Sequence, residues 1–489
     1  MSLDFRKDIF ANERNDDLNV VGKPILRQDI LGHVTGTSPF FDDHKFDNLL
    51  HLKCVRSPHH HARILSINTT LAEQSPGVQR IILARDIPVN LNTLLSLIDF
   101  GRDDEPTLAE KKVSYLGEPV AAVIANSEQQ ALDAVAKIDV HYEVLPAVFD
   151  VEDALKHDAP KVNNAYPDNH FIFNEDHKFQ KLRFGDTEAG FARAAHIVKG
   201  RYQLRPIEQA PIEPNGAIAA PETNDRFVCF TPTQGLFFSV GTCAKILNVD
   251  LNKLHFVGGT VGGAFGGKVD SVCEPLAILG AMLTRRPVRY VLNRAEEMQV
   301  SAPRSAELWE IRDALAEDGR ILAREFKGWF DAGAYTRLTS YGVVKCTGHL
   351  PGPYTIPAVK SDIYCVFTDN TYERFIKDNK EIITSLIKAD TIHINSNSYD
   401  MNQCITISLE ELKLYIPIKE IIDIDVEKKR LEKNLNNLVN NLNKIESKLN
   451  NKSFIEKAPS EIIQSNFNKQ KYFTKEIDSL RELIECLSD

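Results

Sequence analysis

Residues 258–268 read GGTVGGAFGGK, placing six glycines in ten consecutive positions. Without a Cβ, glycine lets backbone amides approach a bound group closely and adopts positive φ without steric cost. A loop of this kind suits an anionic ligand. Gly262, Gly267 and Lys268 also satisfy the G-x-x-x-x-G-K pattern of a nucleotide phosphate loop. The next residue is Val269, however, where such a loop needs a Ser or Thr hydroxyl for magnesium. That departure argues against a nucleotide site. A tight glycine turn that binds nothing is the bland alternative.

The other candidate ligand groups are poorer. His59, His60 and His61 are consecutive. On an extended strand neighbours point to opposite faces, so three in a row cannot serve one metal. Cys54, Cys229, Cys243, Cys273, Cys346, Cys365, Cys404 and Cys486 are scattered, with no C-x-x-C pair. These spacings support neither zinc nor a cysteine-ligated iron–sulfur cluster, and buried free thiols in a reducing compartment are expected.

The elements that must position the glycine loop follow from periodicity. Residues 20–155 alternate short strand-like runs (49–55, 78–83, 119–125, 138–142) with a helical stretch at 127–136, an α+β pattern. A longer mixed segment, 160–370, carries turn signals at Pro214-Asn215-Gly216, Asp318-Gly319 and Pro351-Gly352-Pro353 and holds the glycine loop.

Several segments, in order, resemble the xanthine dehydrogenase and aldehyde oxidase family of molybdenum hydroxylases. SPHHHARILSI (57–67), YLGEPVAAVIA (115–125) and HYEVLPAVFDVEDAL (141–155) resemble its a/b hammerhead domain. GDTEAGFARAAHIVKGRY (185–202), QAPIEPNGAIA (209–219), PTQGLFFSV (232–240), VGGAFGGK (261–268), FDAGAY (330–335) and GPYTIPAVKSDIYCVFTDN (352–370) resemble the first molybdenum-binding domain. The resemblance implies a molybdopterin cofactor and hydroxylation of an electron-poor carbon. It places Gln234 and Phe265 near molybdenum, with the Gln234 amide donating to an oxo group, and runs Gly262, Gly263, Gly266 and Gly267 along the cofactor. Electrons are expected to leave through separate iron–sulfur and flavin subunits, since no motif for either group is found here.

Two substrate positions depart from the purine-oxidising members. Val269 stands where those have a glutamate, and Lys345 where they have an arginine. An aldehyde or an N-heterocycle is therefore expected rather than xanthine. A larger departure follows Asn370. The family continues into a second molybdenum-binding domain carrying the general-base glutamate, and residues 371–489 do not resemble it, so this chain is expected to hold no catalytic residue and to be inactive alone.

Composition changes at the same place. All 25 glycines lie at or before Gly352; residues 1–370 hold 18 Lys and 22 Arg, whereas 371–489 hold 15 Lys and 3 Arg with 14 Asn and 19 Ile. Lys and Arg have similar helix propensities, so helix content cannot account for the exchange, and two genetic origins can. Leu431, Leu435, Leu438, Leu442, Ile445 and Leu449, then Phe473, Ile477, Leu480, Ile484 and Leu487, form heptad seams on either side of Pro459. They predict an antiparallel coiled-coil hairpin over 426–489. IDIDVEKKRLEKNLNNL (422–438) and KLNNKSFIEKAPSEII (448–463) resemble the tRNA-binding arm of bacterial valyl-tRNA synthetase, with 371–425 resembling the helix and strand pair before it. That resemblance makes Lys428, Lys429, Arg430, Lys433, Lys444 and Lys448 candidate tRNA contacts; the synthetase's catalytic domains have no counterpart here.

The whole chain of 489 residues carries a net charge of −10. No run approaches a membrane span, and the charged segment 1–19 lacks the apolar core of a secretory signal, so a cytoplasmic setting is expected. The reading is thus a chimera, α+β followed by a helical hairpin; a gene-model artefact with no selected function is the third alternative.

Overall fold

The computed structural model describes residues 23–173 and 177–369, the strands Cys404–Leu409 and Leu412–Pro417, and single helical positions between 435 and 477. The chain separates into two units, Met1–Lys380 and Glu381–Asp489.

The first unit is built on a mixed seven-stranded sheet. Its spatial order is Leu254–Gly258, Arg226–Thr231, Gly216–Glu222, Val288–Val291, Leu50–Arg56, Pro119–Ala125, Val78–Leu83. The last three strands come from the hammerhead-like region and the first four from the region with the glycine loop. They join where Leu50 pairs with Val288 and His51 with Arg289, in parallel. Strand PVAAVIA is apolar throughout and buried on both faces. Helix Glu128–Val135, capped by the Ser127 hydroxyl accepting from the Gln130 amide at 3.3 Å, packs against this strand and against Leu50–Arg56. Helix Glu274–Thr284 packs on Gly216–Glu222, Arg226–Thr231 and Val288–Val291. The approach is close enough that a Cβ on Gly280 would stand 2.8 Å from Ile124.

Charged side chains also cross the join. Lys53 is 3% exposed, and its ammonium donates to Glu128 at 2.8 Å, Val291 O at 3.2 Å and Glu296 at 3.4 Å. Arg56 donates to Glu296 and to the Tyr290 hydroxyl. Buried ions need such partners, because an unpaired charge costs several kcal/mol in this setting (about 3–5).

A second sheet, in the order His196–Leu204, Glu307–Leu315, Ile321–Asp331, Val359–Val366, Phe179–Phe184, is antiparallel except for its Ile321–Asp331 and Val359–Val366 pair. The turn at Asp318-Gly319 closes its central hairpin, with Gly319 at φ +82°. Helix Thr339–His349 lies within the crossover joining the two parallel strands. At the far end, the Asp369 amide donates to Val148 O at 2.7 Å, and the Asp369 carboxylate accepts the Val148 amide at 2.8 Å. This ties the last described residue of the unit back to the hammerhead-like region.

In the second unit Cys404–Leu409 and Leu412–Pro417 form an antiparallel hairpin with Cys404 opposite Pro417. The rest of 371–425, the expected helix included, lies outside the described residues. Leu435, Leu438, Leu442, Ile445 and Leu449 are helical, as is Ile477, and Gln470 donates to Glu446 at 3.2 Å. The hairpin as a whole, with Lys428, Lys429, Arg430, Lys433, Lys444 and Lys448, lies outside the described residues. Among the described residues no helix is long and apolar enough to cross a membrane.

Candidate functional site

Parallel pairing brings the site together. Arg226–Thr231 and Leu254–Gly258 run side by side with Thr231 opposite Gly258, so both leave the sheet at the same end. One continues into Gln234 and helix Leu236–Leu247, the other into the glycine loop. Ligands of open α/β sheets collect at such carboxyl ends.

Gln234 and the loop then close on each other. The Gln234 side-chain oxygen accepts the Gly266 amide at 3.2 Å and the Lys268 amide at 3.3 Å, and its own backbone amide donates to Lys268 O at 2.8 Å. With its oxygen committed to the loop, the exposed side chain has its NH2 left to offer. Gly263 and Gly266 have φ of +97° and +95°. A Cβ on Gly266 would meet nothing within 4 Å, so the loop faces open space there. Phe265 is 76% exposed and holds φ +52°, a conformation costing a non-glycine residue ~1–3 kcal/mol. The tip is pinned behind it by the Gly267 amide on Ala264 O at 2.8 Å.

Lys268 points the other way. It is 1% exposed, and its ammonium donates at 2.9 Å to Glu213, whose same oxygen accepts the Gly262 amide at 2.7 Å. Burial draws the Lys268 pKa down against the pull of Glu213. An ammonium so placed cannot reach a phosphate held by the loop, which removes the nucleotide reading. Sequence reasoning recognised the QAPIEPNG segment as a motif but gave its residues no role. The structure shows Gln209, Glu213 and Asn215 lying under the loop: Asn215 donates to Gly267 O at 3.4 Å and is itself held by Glu297 at 2.7 Å.

A cavity of about 380 Å³ opens beside the tip, bounded by Tyr115, Gln209, Phe265, Gly266, Phe330 and Arg337 among others. Behind its wall the Tyr335 hydroxyl donates at 2.5 Å to Glu118, which also accepts the Ser114 amide at 2.6 Å; burial pushes the Glu118 pKa to about 7. Arg337 is occupied by Glu105. Burial similarly raises Asp270, just after the loop, to about 6. Val269 is half-buried and faces Gly235, where an added Cβ would lie 3.5 Å from it. Lys345 is exposed on helix Thr339–His349 with its ammonium 5.1 Å from the Tyr341 ring centre, one turn past Gly342 in the cavity wall.

The histidine triple is structural. His59 and His60 meet Tyr142 and Phe149 edge-on, and His61 is buried with Nδ1 donating to Pro146 O at 2.6 Å. Cys54, Cys229, Cys243, Cys273 and Cys365 are buried free thiols and Cys346 is half-buried.

Comparison with known proteins matches residues 35–146 to the a/b hammerhead domain of aldehyde oxidase and xanthine dehydrogenase, and residues 168–377 to the molybdopterin cofactor-binding domain. In both of its domains this part of the chain resembles the molybdenum hydroxylases. Similar relatives are the nicotinate dehydrogenase large molybdopterin subunit of Eubacterium barkeri (29% identity, 72% of this chain, 80% of the relative) and a probable xanthine dehydrogenase subunit of Bacillus subtilis (31%, 72%, 46%). Among solved structures, the aldehyde oxidoreductase of Desulfovibrio gigas superposes with TM-score 0.66 at 25% identity, over 76% of this chain and 43% of that one. The quinoline 2-oxidoreductase of Pseudomonas putida gives 0.61 at 28%, over 71% and 44%. The chain thus spans less than half the length of three of these four molybdenum hydroxylases. Residues 423–488 match a different family, the valyl tRNA synthetase tRNA binding arm.

Proposed function

We propose that residues 20–370, as a hammerhead domain (20–155) and a molybdopterin-binding domain (160–370), supply the glycine-loop side of a molybdenum hydroxylase site and are inactive by themselves. The observation that carries this is the stapled glycine loop with the Gln234 amide turned outward, inside a match to the molybdopterin-binding family. The loop fits the group: Gly266 faces open space, and positive φ at Gly263 and Gly266 brings backbone to the surface. Gln234 would donate to an oxo group through its NH2, and Gly262, Gly263, Phe265, Gly266 and Gly267 would carry backbone along the pterin side. When bound, the cofactor supplies oxidative hydroxylation of an electron-poor carbon.

Neither Val269 nor Lys345 lines the cavity beside the tip; Val269, half-buried against Gly235, leaves the position after the loop lysine uncharged. This favours an aldehyde or N-heterocycle over xanthine. Of the four relatives named above, three are named for nicotinate, quinoline or aldehydes and one for xanthine. Subunit names among the relatives support separate partner subunits, to which the family resemblance would assign the iron–sulfur and flavin groups. The purified chain alone is expected to contain less than stoichiometric molybdenum and to leave aldehydes and N-heterocycles unoxidised. Metal analysis with a dye-reduction assay tests this, and turnover by the isolated chain refutes it.

A second reading concerns residues 426–489, favoured by the family match at 423–488. From Lys428 to Lys475 there are 11 basic and 4 acidic residues, the charge balance of a phosphate-binding face on a coiled-coil hairpin. Salt-sensitive tRNA retention by the full chain is expected in filter binding; affinity indifferent to salt removes the reading. The fusion is tested separately by sequencing genomic DNA across the codons for residues 360–380.

A further inference from the structure

Glu213 and Lys268 stand out because a buried ion pair is an expensive way to fill space. Pairs of this kind are often replaceable by apolar residues without loss of stability, so their presence asks for a reason beyond stability. Here the reason is geometric. One oxygen of Glu213 accepts both the Gly262 amide, at 2.7 Å, and the Lys268 ammonium, at 2.9 Å, and the Glu213 amide donates back to Gly262 O at 3.1 Å. The first and last residues of the arc 262–268 are thereby fastened to one carboxylate. A Cβ on Gly262 would stand 2.5 Å from the Glu213 Cβ, so only glycine permits this approach.

The fastening continues below. Glu297, 1% exposed, holds the Asn215 backbone amide at 2.7 Å and its side chain at 2.7 Å, while Arg294 donates to Pro211 O. The segment carrying Glu213 is therefore itself fixed to helix Arg294–Val300. Above the pair, the amides of Gly263, Ala264 and Phe265 donate to no described residue, and Phe265 keeps its left-handed φ while 76% exposed. A strained, outward tip persists only where its base is over-determined.

We infer that Glu213 and Lys268 are positioning residues: their shared contact with Gly262 closes the base of the glycine arc and sets the conformation of the tip that meets the ligand. That the ligand is a molybdopterin rests on the reading above; the clamp does not.

The test uses the full chain with two variants, K268M and E213L/K268M, read by hydrogen exchange, thermal unfolding and pterin content. K268M leaves a buried carboxylate unpaired and lowers Tm. In E213L/K268M that charge is gone and Tm returns toward the wild type. Exchange of peptides covering 259–268 is nonetheless expected to stay ~10-fold or more faster than wild type in the double variant, with helix Glu274–Thr284 unchanged. Where the wild type retains pterin, the double variant loses it despite the recovered Tm. Loop exchange equal to wild type in the double variant overturns the clamp, and so does acceleration spread evenly over the whole sheet. A wild type with no detectable pterin, as distinct from a substoichiometric content, whose loop still loosens in this way supports the clamp and removes the molybdopterin reading.

Discussion

The two halves of the glycine arc's surroundings are held by opposite means. Its base rests on charge buried out of water, Lys268 on Glu213 at 2.9 Å, whereas its tip presents Phe265 and free amides outward. The C-terminal arm is read from its sequence in different terms. Its proposed recognition chemistry is a surplus of lysines spread along a sequence of heptads, where exact placement would matter less than summed charge. On the two proposed readings, one region would work through a few fixed contacts and the other through many interchangeable ones. They should respond to mutation accordingly: steeply and locally in the first, gradually and with salt in the second.

The sharpest way to break that contrast is Gly262→Val. Its side chain collides with Glu213, so loss of the arc and at least a tenfold fall in pterin content are expected, with stability reduced by ~1–3 kcal/mol as for overpacking. Unchanged pterin content and Tm would show that the base is not fixed at all. Next in size, K428E/K429E/R430E should weaken tRNA retention about 100-fold near physiological salt and flatten the log-affinity slope by about 3, leaving the Tm of the first unit alone. A loss independent of salt would mean that the arm, too, uses fixed contacts.

A pH titration probes the buried acids. Burial raises Glu118 and Asp369 to about 7 and Asp104 and Asp270 to about 6, against ordinary values of about 4. Between those limits the folded state holds protons that the unfolded chain has released, so its stability is full below about pH 4 from these groups and falls as pH rises to about 7. The first unit should melt several degrees higher at pH 5 than at pH 8, and Glu118→Gln should reduce that slope. A Tm that climbs over the same interval contradicts the assignment. The smallest effect is Gln234→Ala, which removes two loop contacts for ~1–2 kcal/mol and lowers pterin retention. Faster exchange at Gly266 and Lys268, but not at Gly262, is the expected signature in hydrogen exchange.

Much of the site was legible because its parts are carried by local words. GGAFGGK and TQG announce a loop and a polar neighbour, and Thr231 opposite Gly258 merely brings them together. Glu213 was not legible as a partner of Lys268, since 55 residues separate them and the pairing depends on the order of three strands. The lysine was read through a linear pattern, in which it would face phosphate, and only packing reveals that it turns inward. The same limit applies to the shared sheet. Composition and spacing suggest two consecutive α+β segments, whereas the Leu50 and Val288 pairing lies 238 positions apart, beyond anything a periodicity can register.

That pairing has a consequence for synthesis. Strand Leu50–Arg56 emerges from the ribosome early, yet its neighbour Val288–Val291 arrives more than 230 residues later. Translation at ~5–20 residues per second leaves that edge open for ~10–50 seconds. Meanwhile the nascent hammerhead-like segment exposes a template for stray strand pairing. A gene cut between the codons for residues 155 and 160 should therefore yield an aggregating product from its first part, whereas a cut just beyond Lys380 should spare everything before it. The seam of this polypeptide, for a nuclease or for recombination, lies after the sheet is complete, close to the change in composition, and not between the hammerhead-like segment and the one that carries the glycine loop.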